Sequence, residues 1–237
     1  MPEAELKNIA LLIDADNASH AGIDPVLTVL AELGQVNIRR AYGNWAKSAL
    51  VKWDKITHRY GLQPMQQFDL TKGKNATDIA MTIDAIDLLY AGKVDGFGIM
   101  SSDSDFTPLV TRLRQDGLIV YGFGSDKAPE PFKTACTRYI DVDQLIRTEA
   151  SDESQPTSET QKVDRELIEL LGAAWKAASR DEEGYAKLQE VGQIAGNRSS
   201  FDVRNYGYKR LSDLMRATGD AFKLERRDNQ LFVKRVR

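Results

Sequence analysis

The chain has 237 residues, 42% hydrophobic and 28% charged, as in a globular protein with one large domain or two small ones. The sequence lacks a signal-peptide pattern and any apolar run near the about 20 residues that span a bilayer. One cysteine and two histidines exclude an intrachain disulfide and a structural zinc site, and Cys136 is expected to be a small buried residue. We therefore expect a cytoplasmic protein without a membrane partner.

The charge is unevenly distributed. Residues 1–161 carry 16 Lys and Arg against 23 Asp and Glu, a net charge of −7, whereas residues 162–237 carry 16 against 12, a net charge of +4. A basic piece of this kind favours a polyanionic partner. Residues 149–161 are almost entirely polar and contain a proline, which predicts a flexible linker between residues 1–148 and 162–237.

The first part alternates strand and helix patterns. The predicted strands cover residues 8–14, 35–42, 62–68, 94–100, 118–123 and 138–142, and the predicted helices cover 23–33, 46–60, 76–90, 104–116 and 130–136. This alternation predicts right-handed βαβ units and an α/β fold with a parallel sheet. In a doubly wound sheet the first strand is usually central, and the fourth is often its neighbour.

The second part has a different pattern. It predicts helices over residues 163–179, 187–195 and 204–218, followed by two short strands, 221–225 and 230–235. Three helices followed by a hairpin is the order of a winged-helix domain.

Acidic residues follow the apolar strands of the first part. Asp14 ends the first strand, Asp103 and Asp105 come directly after the fourth, and Asp78 lies near the start of the third helix. The carboxyl ends of parallel strands meet at one sheet edge, so we expect these side chains to converge there. Carboxylates repel each other unless a hard cation lies between them, which predicts a Mg²⁺ or Mn²⁺ site and hydrolysis of phosphodiesters.

Purely structural roles are the alternative for single acids. Asp78 with Asn75, or Asp103 alone, would suit a helix cap. For Asp16 we favour a turn-stabilising role over metal ligation. An Asp14 nucleophile, as in a phosphatase of the haloacid-dehalogenase type, is a further alternative. No glycine-rich phosphate loop follows the first strand, which weighs against a nucleotide cofactor.

Polar residues near the same edge are candidates for substrate binding. They are Asn17, Asn44, Trp45, Lys72, Lys74 and Ser102. Lysines and amides suit phosphates, and an indole ring suits stacking on a base. The alternative for Trp45 is packing in the core, and for the lysines a solvated loop.

Three motifs together resemble the NYN family, a branch of the PIN-like ribonuclease superfamily that includes the LabA-like bacterial proteins. They are LLIDADN at residues 11–17, ATDIAM at 76–81 and MSSDSDF at 100–106, within a match over about residues 6–146. The resemblance implies a sheet of order 3-2-1-4-5 and metal-dependent RNA hydrolysis that leaves 5′-phosphate and 3′-hydroxyl ends. It also implies metal-binding and catalytic roles for Asp14, Asp78, Asp103 and Asp105, with Asn17 as the polar residue of the first motif.

Some members of this family have no demonstrated activity. A non-catalytic RNA-binding adaptor with a vestigial metal site is therefore the alternative function.

The segment GYKRLSDLM, residues 207–215, and the hairpin after it resemble the LOTUS (OST-HTH) domain, a winged-helix module linked to RNA binding. The resemblance spans about residues 163–237 and implies RNA as the partner. The candidate RNA-binding residues are Tyr208, Lys209, Arg210, Arg216, Arg226 and Arg227. The basic side chains would contact phosphates with little sequence readout, and Tyr208 would stack on a base. The alternative is that Tyr208 packs in the core and the charges are solvated; the sequence leaves homodimer formation open.

Overall fold

A computed structural model describes residues 6–68, 75–152, 165–219, 221–228 and 230–236. The chain falls into two compact units, Met1–Glu149 and Ala150–Arg237. Among the described helices, none combines the length and the hydropathy needed to cross a membrane.

The first unit is built on a parallel sheet of six strands. They are β1 (Leu6–Asp14), β2 (Gly34–Gly43), β3 (Gln63–Gln66), β4 (Gly96–Met100), β5 (Ile119–Gly124) and β6 (Arg138–Asp141). Their spatial order is β3-β2-β1-β4-β5-β6. The expected order 3-2-1-4-5 is confirmed, and β6 extends the sheet at one edge. The other edge strand, β3, is short, mostly exposed and contains Pro64.

In the described part of this unit, six α-helices connect or follow these strands. They are α1 (Ile23–Ala31), α2 (Val51–Tyr60), α3 (Ala76–Ala91), α4 (Thr107–Gln115), α5 (Glu130–Ala135) and α6 (Val142–Asp152). The sequence did not predict α6, which extends over residues 149–152. These first four residues of the predicted linker are therefore helical, and residues 153–161 lie outside the described residues.

Strand β1 is buried on both faces. Ile9, Leu11 and Ile13 belong to one hydrophobic cluster, and Ala10 and Leu12 belong to the other. All five are at most 1% exposed, because helices cover both sides of a doubly wound sheet. The chain reaches Asp14 directly from this core.

Cys136 lies in the second of these clusters at 2% exposure. Its burial raises the pKa of the thiol to about 12, so the thiolate form is disfavoured. The prediction of a small buried residue is confirmed.

The second unit packs helices against a small antiparallel sheet. Its elements are α7 (Arg165–Ala177), β7 (Ala186–Lys187), α8 (Leu188–Arg198), α9 (Leu211–Ala217), β8 (Phe222–Arg227) and β9 (Gln230–Arg235). The strand order is β7-β9-β8, and Leu167, Leu171, Leu214 and Val233 lie in the core.

The third predicted helix of this unit, over residues 204–218, is interrupted. A 3₁₀ turn at Val203–Tyr206 ends at Gly207, whose φ of 81° is left-handed, and α9 starts only at Leu211. Lys209 and Arg210 therefore precede the helix on which the sequence placed them.

A half-buried ion pair joins α3 to β2. Asp84 on α3 accepts hydrogen bonds from the Tyr42 hydroxyl and the Arg40 guanidinium, and Tyr42 is 1% exposed. Burial, followed by the hydrogen bond to Asp84, raises the pKa of Tyr42, so the neutral hydroxyl donates. This pair fixes the helix that carries Asp78 against the sheet.

We expect Asp84→Ala to lower the free energy of unfolding by about 2 to 3 kcal/mol, because it leaves a buried hydroxyl and a guanidinium without their acceptor. Asp87→Ala, at an exposed position of the same helix, is the matched control and should change it by less than about 0.5 kcal/mol. Urea denaturation followed by circular dichroism measures both. Equal midpoints for the two variants would contradict the structural role of Asp84.

Candidate active site

The acidic residues lie where two central strands end. β1 and β4 pair in parallel, with Ile13 opposite Met100, so Asp14 and Ser101 follow side by side. The Ser101 hydroxyl donates to Asp14 Oδ2 at 2.9 Å. The predicted adjacency of the first and fourth strands is confirmed, and it places the loops after both strands at one edge of the sheet.

Asp14 is a buried carboxylate with one oxygen left over. It is 0% exposed, and its Oδ2 accepts from Asn17 Nδ2 at 3.0 Å and from Ser101 Oγ. Its Oδ1 is buried and has no hydrogen-bond partner among the residues that the structure describes. Burial raises the pKa of Asp14, while the bonds from Asn17 and Ser101 oppose that rise. A buried charge in this state needs a proton or a cation on Oδ1.

Three further carboxylates converge near the exposed side of this edge. Asp78, in the first turn of α3, and Asp103 and Asp105, in the 3₁₀ turn after β4, each offer an oxygen, and these oxygens lie within 4.8 Å of one another. Asp103 Oδ1 also accepts from the Asp105 amide at 2.9 Å, and the Asp103 amide donates to Ser101 Oγ at 3.1 Å. Asp103 therefore caps its turn, as the structural alternative proposed, and also belongs to the acidic trio.

Asp14 lies outside this trio but acts on it electrostatically. Burial raises the pKa of Asp78 to about 6, and the charges of Asp14, Asp103, Asp105 and Asp16 contribute in that order. The four predicted acids are thus close enough to interact electrostatically, and each negative charge near Asp78 disfavours its ionised form.

The cap proposed for Asp78 does not form as expected. The Asn75 side chain makes no cap hydrogen bond and instead donates from Nδ2 to Asp105 Oδ2 at 2.7 Å. This bond ties the start of α3 to the turn after β4, so it holds Asp78 near Asp105.

Asp16 has a structural role, but a different one from a local turn. Its Oδ2 accepts from the Thr77 hydroxyl at 2.9 Å, and its Oδ1 lies 3.5 Å from Lys47 Nζ. It therefore connects the loop after β1 to the first turn of α3. This contact could not be predicted from the neighbouring sequence, because Thr77 is 61 residues from Asp16.

The donor set fits a hard divalent cation. Carboxylate oxygens are the ligands that Mg²⁺ and Mn²⁺ prefer, and a cation would relieve the repulsion that adds to the effect of burial on the pKa of Asp78. A cation would also satisfy Oδ1 of Asp14, which lacks a hydrogen-bond partner among the residues described.

Two of the predicted substrate-binding residues, Asn17 and Ser102, line a cavity of about 220 Å³ beside the acids. Trp45 instead packs against the core, and its indole nitrogen donates to the Met65 carbonyl at 3.2 Å. Asn44 accepts from the Ala46 amide in its own turn. For Trp45 the structure thus favours the packing alternative. Lys72 and Lys74 lie outside the described residues.

The predicted RNA-binding residues of the second unit divide into groups. Lys209, Arg210 and Arg226 are exposed, and Arg216 is exposed with its guanidinium 2.6 Å from Asp213. Tyr208 is partly buried and packs against the core, so part of its ring is committed to the fold.

Arg227 is engaged within its own unit. Its three guanidinium nitrogens contact Glu225, Asp181 and Glu183 at 2.6 to 2.7 Å, and the group lies 4.5 Å from the centre of the Tyr185 ring. These contacts commit three of the five guanidinium N–H groups to carboxylates of the same unit, so Arg227 stabilises the hairpin. Its role as an RNA contact stays a prediction.

Family models agree with this geometry. The model of the NYN domain matches residues 8–145, more than half of the chain. The chain belongs to the NYN family. The model of the OST-HTH/LOTUS domain matches residues 158–233, so the NYN domain is followed by a LOTUS domain.

Two similar proteins are themselves uncharacterised or of unknown function. An uncharacterised protein of Methanocaldococcus jannaschii is 28% identical over 138 residues, which cover 56% of this chain and 52% of that protein. The chain thus spans about half the length of this relative. A crystal structure of a protein of unknown function from Vibrio parahaemolyticus has a TM-score of 0.50 and 20% identity, and the match covers 61% of this chain and 98% of that one. That likeness concerns the fold alone.

Sequence reasoning missed several residues of the NYN site. Ser101 enters the sequence prediction only as part of the MSSDSDF motif, although its hydroxyl joins Asp14 to the Asp103 amide. Thr77 and the bond from Asn75 to Asp105 were also missed. The position of Ser101 one residue after β4 was an available signal, because side chains at strand ends face the site.

We expect Asp78→Asn to stabilise the metal-free protein at pH 7, by on the order of 1 kcal/mol after allowance for solvent screening. Native Asp78, with a pKa of about 6, binds its proton more tightly than an unfolded aspartate at 3.8. The free energy of unfolding therefore falls as the pH rises through this window, and the advantage of the variant grows with pH.

Thermal denaturation in chelator at pH 4.5 and pH 7 measures this effect, with Asp87→Asn as the control on the same helix. A variant advantage that is equal at the two pH values, or absent at pH 7, would contradict the electrostatic argument.

Proposed function

We infer that this protein is a ribonuclease dependent on Mg²⁺ or Mn²⁺, whose NYN domain hydrolyses RNA phosphodiesters while its LOTUS domain binds RNA. The observation that carries the proposal is the buried Oδ1 of Asp14, which has no partner in the described part of the chain, beside the trio of Asp78, Asp103 and Asp105. Membership of the NYN family adds a nuclease superfamily as context.

The residues of the chain divide the work. Asn17 and Ser101 hold Oδ2 of Asp14, which leaves Oδ1 as an acidic oxygen for the cation. Asp78, Asp103 and Asp105 supply the remaining carboxylates at the exposed side. When bound, a divalent cation polarises the phosphodiester and activates water for in-line attack.

The phosphatase alternative finds less support. A haloacid-dehalogenase-type mechanism needs an oxygen of Asp14 that can reach a phosphoryl group. Asp14 is 0% exposed, and its unpartnered oxygen is buried. A bare ion needs far less room there than a phosphorylated substrate, so the geometry favours metal ligation by Asp14.

We expect Asp103→Asn to reduce cleavage of single-stranded RNA roughly 100-fold or more, the equivalent of about 3 kcal/mol of lost transition-state stabilisation. The asparagine carbonyl can still accept from the Asp105 amide, so the turn is retained and only the charge is lost. The measurement is single-turnover cleavage of labelled RNA with Mg²⁺, with Mn²⁺ and with chelator.

Asp87→Asn is the control and should cleave as the wild type does. Equal cleavage by wild type and Asp103→Asn would mean that the activity comes from a contaminant. Salt-dependent RNA binding by the wild type with no cleavage in either metal would favour the non-catalytic adaptor.

For the LOTUS domain, we expect Lys209→Ala with Arg210→Ala to weaken RNA binding and to lower the slope of log K against log salt by about 1.4, the value for two phosphates on a single strand. Both side chains are exposed. The exchange Lys209→Arg with Arg210→Lys keeps both charges and should keep the slope. Fluorescence anisotropy across a salt series makes the measurement, and an unchanged slope in the alanine variant would exclude these two residues as phosphate contacts.

A further inference from the structure

The cavity beside the acids lies at the carboxyl ends of β1, β4 and β5 and at the start of α6. Its volume is about 220 Å³. Pockets for drug-sized ligands typically have about 300 to 1,000 Å³. The cavity is therefore suited to a fragment about as large as a single nucleobase, and it is too small for a whole nucleotide chain.

The cavity adjoins the acidic site through shared side chains. Asn17 and Ser101 both line it, and both donate to Oδ2 of Asp14. When a phosphate of an RNA strand lies at the acids, a base next to that phosphate can therefore reach the cavity.

The lining suits a flat, neutral ring. Met100, Phe123 and Val142 provide an apolar surface, and Ser19, Ser102 and Ser125 add hydroxyl groups. Gly124 completes the wall at a point where a Cβ would come within 2.6 Å of Ser102 Oγ, so the wall leaves no room for a side chain there. Apolar walls with a few placed polar groups are typical of small-molecule sites.

The charge of the lining indicates which part of a nucleotide the cavity would bind. All the lining residues belong to the described part of the chain, and the single charged one is Asp143. A phosphate would be repelled by this carboxylate. A base that offers N–H groups would instead donate to it, because a carboxylate accepts two parallel hydrogen bonds. Guanine presents two adjacent N–H donors, N1–H and the N2 amino group, on its Watson–Crick edge, the edge by which unpaired RNA bases are commonly read.

We propose that this cavity is a base subsite that holds one guanine of the RNA strand, with Asp143 accepting from its N1–H and N2–H groups. The subsite rests on the proposed ribonuclease function for its place in the reaction, but its binding of guanine can be tested without catalysis. It would give the enzyme a preference for cleavage next to guanine.

The binding test uses the full chain in chelator, titrated with guanosine, adenosine, cytidine or uridine, and followed by amide chemical shifts. We expect guanosine alone to shift the amides of Ser19, Ser102 and Ser125. Asp143→Asn should weaken guanosine binding roughly tenfold, because the guanine N–H groups lose their charged acceptor. Asp126→Asn, at an exposed position outside the lining, is the matched control and should bind as the wild type does.

A second variant tests the cavity by filling it with a larger side chain. Ser19 is exposed and its side chain makes no cap hydrogen bond, so Ser19→Leu fills the space with little risk to the fold. It should abolish guanosine binding. Equal binding of all four nucleosides, or unchanged guanosine binding in both Asp143→Asn and Ser19→Leu, would overturn the proposal.

The cleavage test separates this proposal from the proposed function. Oligonucleotides with a single guanine in a run of uridine should be cut at one position by the wild type and more evenly by Asp143→Asn. Specific guanosine binding without any cleavage would support the guanine subsite and contradict the proposed ribonuclease function. Cleavage without regard to guanine, together with no guanosine binding, would support the ribonuclease function and contradict the subsite.

Discussion

The site depends on the unfavourable burial of one carboxylate, that of Asp14. β1 passes through the middle of the sheet with both faces covered, and it ends in a carboxylate that is itself 0% exposed. Two donors satisfy one oxygen of Asp14 and leave the other without a partner among the described residues. Placing an acid there is costly for the fold, and such cost concentrates at functional sites. The central position of β1 is therefore what makes Asp14 chemically useful.

The remaining acids are held by contacts between separate elements. Asn75 binds Asp105, and Thr77 binds Asp16, so two side chains at the start of α3 connect it to the loops after β4 and β1. Further along the helix, Asp84 fixes it to β2 through Tyr42 and Arg40. Asp78 is thus kept near like charges that repel it, which is the arrangement that the proposed cation site requires.

The fold was largely predictable because its signals are local. Apolar runs gave β1 and β4, and strand adjacency followed from the general behaviour of parallel sheets. The family motifs indicated which acids to expect. The partners of Arg227 were not predictable, since Asp181 and Glu183 are 46 and 44 residues away and no local pattern near Arg227 indicates them. Helix α6 was missed because polar residues dominate its second half, and the cavity that it borders was missed with it.

The composition of β3 limits how copies of this protein can associate. Pairing of edge strands between molecules requires a row of amide donors along an exposed strand. β3 has four residues, one of which is Pro64, and proline has no amide hydrogen. A second chain that tried to continue the sheet past β3 would find a short and incomplete template. Pairing of two NYN domains through β3 is therefore disfavoured, and this edge of the sheet is protected against extension into aggregates.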